Sequence, residues 1–237
     1  MTSYNQSIFI TGGARGLGLE LSKKYLGEGF RVFAGIRQSN RVTDQLENLY
    51  PKQYIVIQVD VSDDQSVTEA AVKIKKHADQ LDVVINNAAA RFKETLLSLD
   101  AIDIDTSLKA FNINTLGPLR VAKNLADLIK KGEMKVWVNI SSEAGSIANC
   151  QRNSEFDYCM SKAALNMQSA LLQNEWKEDQ VKVLAIHPGW MKTDMGGERA
   201  PLSPRESAQE IYETIKKNKE NVDKSTFIDY EGTPYPW

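Results

Sequence analysis

Tyr158 and Lys162 stand four residues apart in the run Tyr158-Cys159-Met160-Ser161-Lys162. On a helix that spacing puts both side chains on one face, with Cβ atoms about 5 to 6 Å apart. A phenol beside an ammonium can give or take a proton, because a fixed positive charge favours the phenolate. Free tyrosine titrates near pH 10, so work near neutrality calls for a lowering of up to about 3 pH units, worth roughly 4 kcal/mol. The same spacing also occurs on ordinary solvated helix faces. Just upstream, the stretch contains Ser142-Glu143-Ala144-Gly145 and then a loop. The chemistry implied is proton transfer to or from an oxygen.

The elements that must hold these groups alternate along the chain. Ser7-Ile8-Phe9-Ile10-Thr11 is an apolar run ended by glycines and reads as a buried strand. Gly12-Gly13-Ala14-Arg15-Gly16-Leu17-Gly18 then opens an amphipathic helix carrying Leu19, Leu21, Tyr25 and Leu26. Strand, glycine turn and helix form a context that binds phosphate: the backbone approaches closely, and the helix start offers N–H groups and a positive dipole end. The spacing Gly-x-x-x-Gly-x-Gly differs from the dinucleotide fingerprint Gly-x-Gly-x-x-Gly. Arg31 to Ile36 is the second strand, and the residues at its carboxyl end select a cofactor. An Asp or Glu there would bind ribose hydroxyls, whereas Arg accepts a 2′-phosphate. Arg37 and Arg41 stand there, with no acid between Phe30 and Thr43, and Arg15 can reach the same phosphate. The expected cofactor is NADP(H).

Tyr54 to Val59 is the third strand. Asp60 at its end can meet an adenine or cap the next turn, and Ser62-Asp63-Asp64-Gln65 has the pattern of a capping box. Leu81 to Ile85 is the fourth strand and ends in Asn86-Asn87-Ala88-Ala89, where Asn87 can pin the loop by side-chain hydrogen bonds. Ser107 to Lys131 reads as a long helix with Leu108, Phe111, Leu119, Leu125 and Leu128 inward, interrupted at Gly117-Pro118. Pro118 has no N–H and opposes the carbonyl of Asn114, which is left free to hold a water. Met134 to Ile140 is the fifth strand and delivers Ser141 and Ser142 to the sheet's carboxyl edge.

A helix begins near Phe156, with small residues at Ala163, Ala164, Ser169 and Ala170 for close packing within the fold or across a dimer. Val181 to Ile186 is the sixth strand and runs into His187-Pro188-Gly189-Trp190, then Thr193. His187, at a strand end before proline, reads as structural. Gly196 to Pro201 reads as a mobile lid. Ser203-Pro204-Arg205-Glu206 caps the last helix, and Ser225 to Ile228 is the seventh strand.

Residues 1–237 thus read as one α/β domain, a Rossmann-like doubly wound parallel sheet of about seven strands with helices on both faces. Hydrophobic residues make up 42% and charged residues 25%, an ordinary globular balance. A formal net charge of -2 leaves no footprint for nucleic acid or an anionic membrane. Cys150 and Cys159 form neither a disulfide framework nor a metal pattern, so no metal is expected. With no apolar signal core and no run of about 18 apolar residues, the expected location is cytoplasmic.

With these motifs in order, the chain resembles the short-chain dehydrogenase/reductase family over nearly its whole length, and most of all its sniffer-type carbonyl reductases and the C-factor group. Thr11-Gly12 through Gly16-Leu17-Gly18 is similar to the family's glycine loop. Asn86-Asn87-Ala88-Ala89 is similar to its Asn-Asn-Ala-Gly, with Ala89 where glycine is usual. The resemblance implies a catalytic set of Asn114, Ser142, Tyr158 and Lys162. It implies cofactor contacts at Gly12, Arg15, Gly16, Leu17, Gly18, Arg37, Asp60, Val61, Asn87, Ala88, Tyr158, Lys162, Pro188, Gly189 and Thr193. The reaction implied is NADPH-dependent reduction of a small aldehyde, ketone or quinone, with Tyr158 as proton donor. Phe92, Cys150 and Trp190 are expected along an apolar pocket, and Glu143 either faces it or solvent. A homodimer or homotetramer is compatible. The alternative function is an NADP(H)-binding signalling or sensor protein with little turnover.

Overall fold

The computed structural model describes residues 6–92, 99–220, 222–223 and 226–237. Seven strands form one all-parallel sheet in the order β3-β2-β1-β4-β5-β6-β7. Their spans are β1 Ser7–Thr11, β2 Arg31–Ile36, β3 Tyr54–Gln58, β4 Val83–Asn86, β5 Val136–Ile140, β6 Lys182–His187 and β7 Thr226–Asp229. The expected Ser225 start of the last strand lies outside the described residues. Parallel neighbours require crossover connections, and the helices are α1 Gly16–Gly27, α2 Arg41–Leu49, α3 Asp64–Lys75, α4 Ile104–Phe111, α5 Gly117–Ile129, α6 Phe156–Glu175 and α7 Pro204–Asn218.

The strands are apolar on both faces because helices cover both. On one face Ile8, Ile10, Val32, Val83 and Leu184 pack with Leu21, Tyr25 and Ile211 of α1 and α7. On the other, Phe9, Phe33, Val84, Trp137 and Val183 pack with residues of α3, α5 and α6. Trp137 meets Trp176 edge-on, with ring centroids 5.1 Å apart. Beside it, fully buried Asn139 accepts from Asn86 Nδ2 (2.9 Å) and Trp137 Nε1 (3.2 Å) and donates to Ser169 Oγ (2.9 Å). Those bonds fix β4, β5 and α6 relative to one another, so Ser169 packs internally.

Two local expectations are corrected. The helix expected over 107–131 is broken by a π turn at Asn112–Leu116. The extra residue shifts the phase, so Ser107 and Ala110 face inward on α4, while Leu108 and Leu119 are exposed. The start of α3 is capped by Asp63, which accepts from Ser66 N at 2.6 Å. Ser62 bonds Asp60 instead, because Asp60 Oδ1 lies within reach of both its amide (2.9 Å) and its hydroxyl (2.6 Å). The 196–201 segment is flanked by a bond from Lys192 N to Leu202 O (2.8 Å), and Gly197 N donates to Thr193 O (2.8 Å). The Ser203/Glu206 capping box of α7 forms as expected. No helix among the described residues is long and apolar enough to cross a membrane.

At the opposite end of the sheet, fully buried Asp82 accepts from Ser7 N (2.8 Å), Glu133 N (2.8 Å) and Met134 N (3.3 Å), joining the start of β1 to the turn before β5. Asp82→Ala strands these three amides. It should cost about 2 to 4 kcal/mol in urea unfolding, whereas an effect below about 0.5 kcal/mol would show that water replaces the carboxylate.

Candidate active site

The strand order reverses between β1 and β4, and the loops leaving their carboxyl ends part there to form a crevice. The two loops are clamped to each other. Thr11 Oγ1 accepts from the amides of Asn87 and Ala88 (both 3.1 Å), and Asn87 Nδ2 donates to the carbonyls of Thr11 (3.0 Å) and Gly12 (3.2 Å). A Cβ on Gly18 would lie 2.3 Å from Gly12 O and 2.5 Å from Asn87 Nδ2, so this helix start tolerates only glycine. Gly12 and Gly16 have φ of +72° and +54°, a left-handed backbone that glycine adopts without strain.

The start of α1 carries no side-chain cap, and a Cβ on Gly16 would meet only Thr193 Cγ2, at 3.6 Å. An uncapped helix end facing open space has amides and a dipole suited to a phosphate. Asn40 caps α2 and also donates to Ala14 O (2.9 Å), tying the glycine loop to the strand beyond it. There, exposed Arg37 borders an open groove of about 360 Å³ with Gln38, Ser39, Val56 and Gln58. Arg15 is paired with Asp194 on the other side of the crevice. Asp60 is held below the usual carboxylate range by its Ser62 hydrogen bond, with the charges of Arg37 and Arg120 adding to it. One carboxylate oxygen thus serves the turn.

Further along the same edge, α6 presses on the turn after β5. A Cβ on Gly145 would sit 2.8 Å from the backbone of Lys162, so glycine lets the two meet. Asn166 locks the contact, donating to Gly145 O (3.1 Å) and accepting from Ser141 Oγ (2.6 Å). Ser142, Tyr158 and Lys162 are thereby brought together, all nearly buried. The Ser142 hydroxyl lies near enough to the Tyr158 phenol to favour its ionised form, and it accepts from Ala144 N (3.2 Å). Lys162 Nζ donates to Ile140 O (2.8 Å) and lies 5.8 Å from the Tyr158 ring centre. The Asn114 side chain ties the loop after β4 to α6, accepting from Ala90 N (2.8 Å) and donating to Ala90 O (2.8 Å) and Ser161 Oγ (3.0 Å).

The expected lowering of the tyrosine is not supplied by the protein groups alone. Burial pushes Tyr158 above its ordinary value and outweighs the nearby Ser142 hydroxyl and the charge of Arg91. His187 behaves structurally: its Nδ1 accepts from Glu143 N (3.2 Å), and burial lowers its pKa. Glu143 pairs with Arg152. Cys150 is exposed, and the half-exposed Trp190 donates its indole N–H to Gly196 O (2.8 Å), so neither is enclosed in an apolar pocket. Sequence reasoning missed Arg91 and Glu155, an ion pair beside Tyr158. The signal was a charged residue placed directly after Asn86-Asn87-Ala88-Ala89-Ala90, at the edge where ligands bind.

Residues 6–204 match the short chain dehydrogenase family. The carbonyl reductase Sniffer of D. melanogaster superposes with a TM-score of 0.90 at 29% identity, covering 99% of this chain and 100% of that one. The NADPH-bound carbonyl reductase from chicken fatty liver gives a TM-score of 0.88 at 27% identity, with 99% and 100% covered. The C-signal protein of Myxococcus xanthus is 34% identical over 66% of this chain and 93% of its own length. An uncharacterized oxidoreductase of Schizosaccharomyces pombe is 30% identical over the whole of both chains.

Burial alone lowers Lys162 from 10.5 to about 8. The folded chain therefore releases this proton before the unfolded chain does, and stability should rise as pH goes from about 8 to 10.5. Lys162→Met removes the buried cation. It should raise stability at pH 7 by about 2 kcal/mol and flatten that rise, measured by urea unfolding at pH 7 and 10; lower stability at pH 7 would contradict the assigned burial cost.

Proposed function

This chain belongs to the short-chain dehydrogenase family, and on that premise we propose that it is an NADPH-dependent reductase of small carbonyl compounds. The observation that carries the reading is the meeting of Ser142, Tyr158 and Lys162 at the end of the crevice that starts at Gly12–Gly18. The glycine cradle and uncapped start of α1 fit a dinucleotide phosphate, with Gly12, Arg15, Gly16, Leu17 and Gly18 around it. Arg37 would take the 2′-phosphate, Asp60 and Val61 the adenine, and Asn87 and Ala88 the next stretch of the cofactor. Pro188, Gly189 and Thr193 would flank the nicotinamide. When bound, the reduced nicotinamide supplies a hydride to the carbonyl carbon.

The remaining steps belong to the protein. Ser142 Oγ, beside the phenol, holds the substrate oxygen by a hydrogen bond. Tyr158 donates its proton as negative charge develops on that oxygen. Because burial keeps Tyr158 protonated near neutrality, reduction is the direction this phenol is ready to serve. Lys162 holds the nicotinamide ribose and adds positive charge beside the phenol. Asn114, in the π turn just before Pro118, would anchor through its main-chain carbonyl the water that returns a proton to Tyr158.

The likeness to C-signal supports a second reading, in which bound nucleotide governs contact with another protein.

Oxidation of NADPH with a panel of aldehydes, ketones and quinones separates the two. Tyr158→Phe should lower kcat by about 10² to 10⁴ with little change in NADPH affinity, and equal turnover by both proteins would refute the assignment. Arg37→Asp should weaken NADPH at least about tenfold relative to NADH, the loss of one charge-assisted hydrogen bond. An unchanged ratio would remove Arg37 from the 2′-phosphate site.

A further inference from the structure

Arg91 leaves the clamped loop after β4 and reaches across the crevice to the start of α6. Its Nε pairs with Glu155, its NH1 donates to Met195 O (3.2 Å), and its guanidinium carbon lies 5.9 Å from the centre of the Tyr158 ring. That is as near the ring as Lys162 Nζ, at 5.8 Å. Glu155 is 4% exposed and sits at φ +60°, a conformation a glutamate adopts only when its surroundings hold it there. Both its oxygens are used, one on Arg91 and the other on Arg152, which in turn pairs with Glu143. Two arginines and two glutamates thus alternate in a chain along the tyrosine's side of the site.

We propose that Arg91 is a positioning residue for Tyr158: held by Glu155 and the Met195 carbonyl, its guanidinium is a second fixed positive charge beside the phenol, on a different element from Lys162. The inference rests on the reading of Tyr158 as the proton donor. The charges facing the phenol are Lys162 from α6, Glu155 from its cap, Glu143 from the turn after β5 and Arg91 from the loop after β4. Arg91 favours the phenolate, whereas the two glutamates oppose it; an ammonium at Lys162 acts in the same sense as Arg91. The Arg91–Glu155 pair is therefore balanced, and removing either member should push the phenol in opposite directions. A unit charge about 6 Å away moves a titration by roughly 0.5 to 2 pH units for effective dielectric constants between 80 and 20.

The test is a pH titration of the Tyr158 resonance in full-length protein labelled with ¹³C at tyrosine Cζ, assigned with Tyr158→Phe, both cofactor-free and saturated with NADP⁺. Arg91→Gln should raise the Tyr158 midpoint by about one pH unit, and Glu155→Gln should lower it by a similar amount. Arg91→Lys, which keeps the unit charge without the two-point hold, should recover more than half of that shift. Shifts of the same sign in Arg91→Gln and Glu155→Gln, or no shift in either, would overturn the proposal and leave the pair a structural staple. The titration needs no turnover. A Tyr158 resonance indifferent to NADP⁺ would count against the oxidoreductase reading, while the cofactor-free titration would still decide the role of Arg91.

Discussion

The site depends on keeping an ammonium out of water. Lys162 is 2% exposed, and Ile140 O is the protein acceptor of its hydrogen bond. Burial of a cation on these terms costs stability, and the fold accepts it because everything around Lys162 is held for other reasons. Asn139 locks β5 to α6 below it, Gly145 admits the backbone of α6, and Asn166 fastens the turn carrying Ser142. With α6 fixed in this way, the four-residue step from Tyr158 to Lys162 becomes a fixed relation between phenol and ammonium. The same burial raises Tyr158, so the protein sets a protonated acid in place and leaves its further adjustment to charges that reach it.

The second constraint lies at the β1/β4 reversal. Thr11 and Asn87 use one hydroxyl and one amide to join two loops that would otherwise splay apart, since the diverging crossovers pull them to opposite faces of the sheet. The clamp leaves the start of α1 uncapped and open, and Gly18 must remain without a side chain for the clamp to close. The crevice at the β1/β4 reversal and the Tyr158 site are therefore two ends of one sheet edge. Asn114 is buried between them, bonded to Ala90 on one side and Ser161 on the other.

Much of this was legible in the sequence because it is local. Short apolar runs marked the strands to within one or two residues, and β1 and β2 were placed to the residue. The Tyr158/Lys162 step, the glycine loop and the pinning role of Asn87 come from short-range geometry. The inward face of α4 was misread because helical phase was carried straight through Asn112–Leu116, where a π turn adds a residue. The effect of burial on Tyr158 in the cofactor-free protein was hidden because burial is a property of the assembled fold. The Arg91–Glu155 contact joins residues 64 apart, and no pattern along the chain records such a pairing.

The central claim is that hydride passes from NADPH to a carbonyl carbon beside Tyr158. The most direct measurement supplies NADPH carrying deuterium on the transferable C4 position with a carbonyl compound the protein consumes, and follows the label by mass spectrometry and proton NMR. The account predicts one deuterium on the carbinol carbon and none on the hydroxyl after exchange, with transfer nearly lost in Tyr158→Phe. Product with solvent hydrogen at that carbon, or equal transfer by the variant, would contradict it.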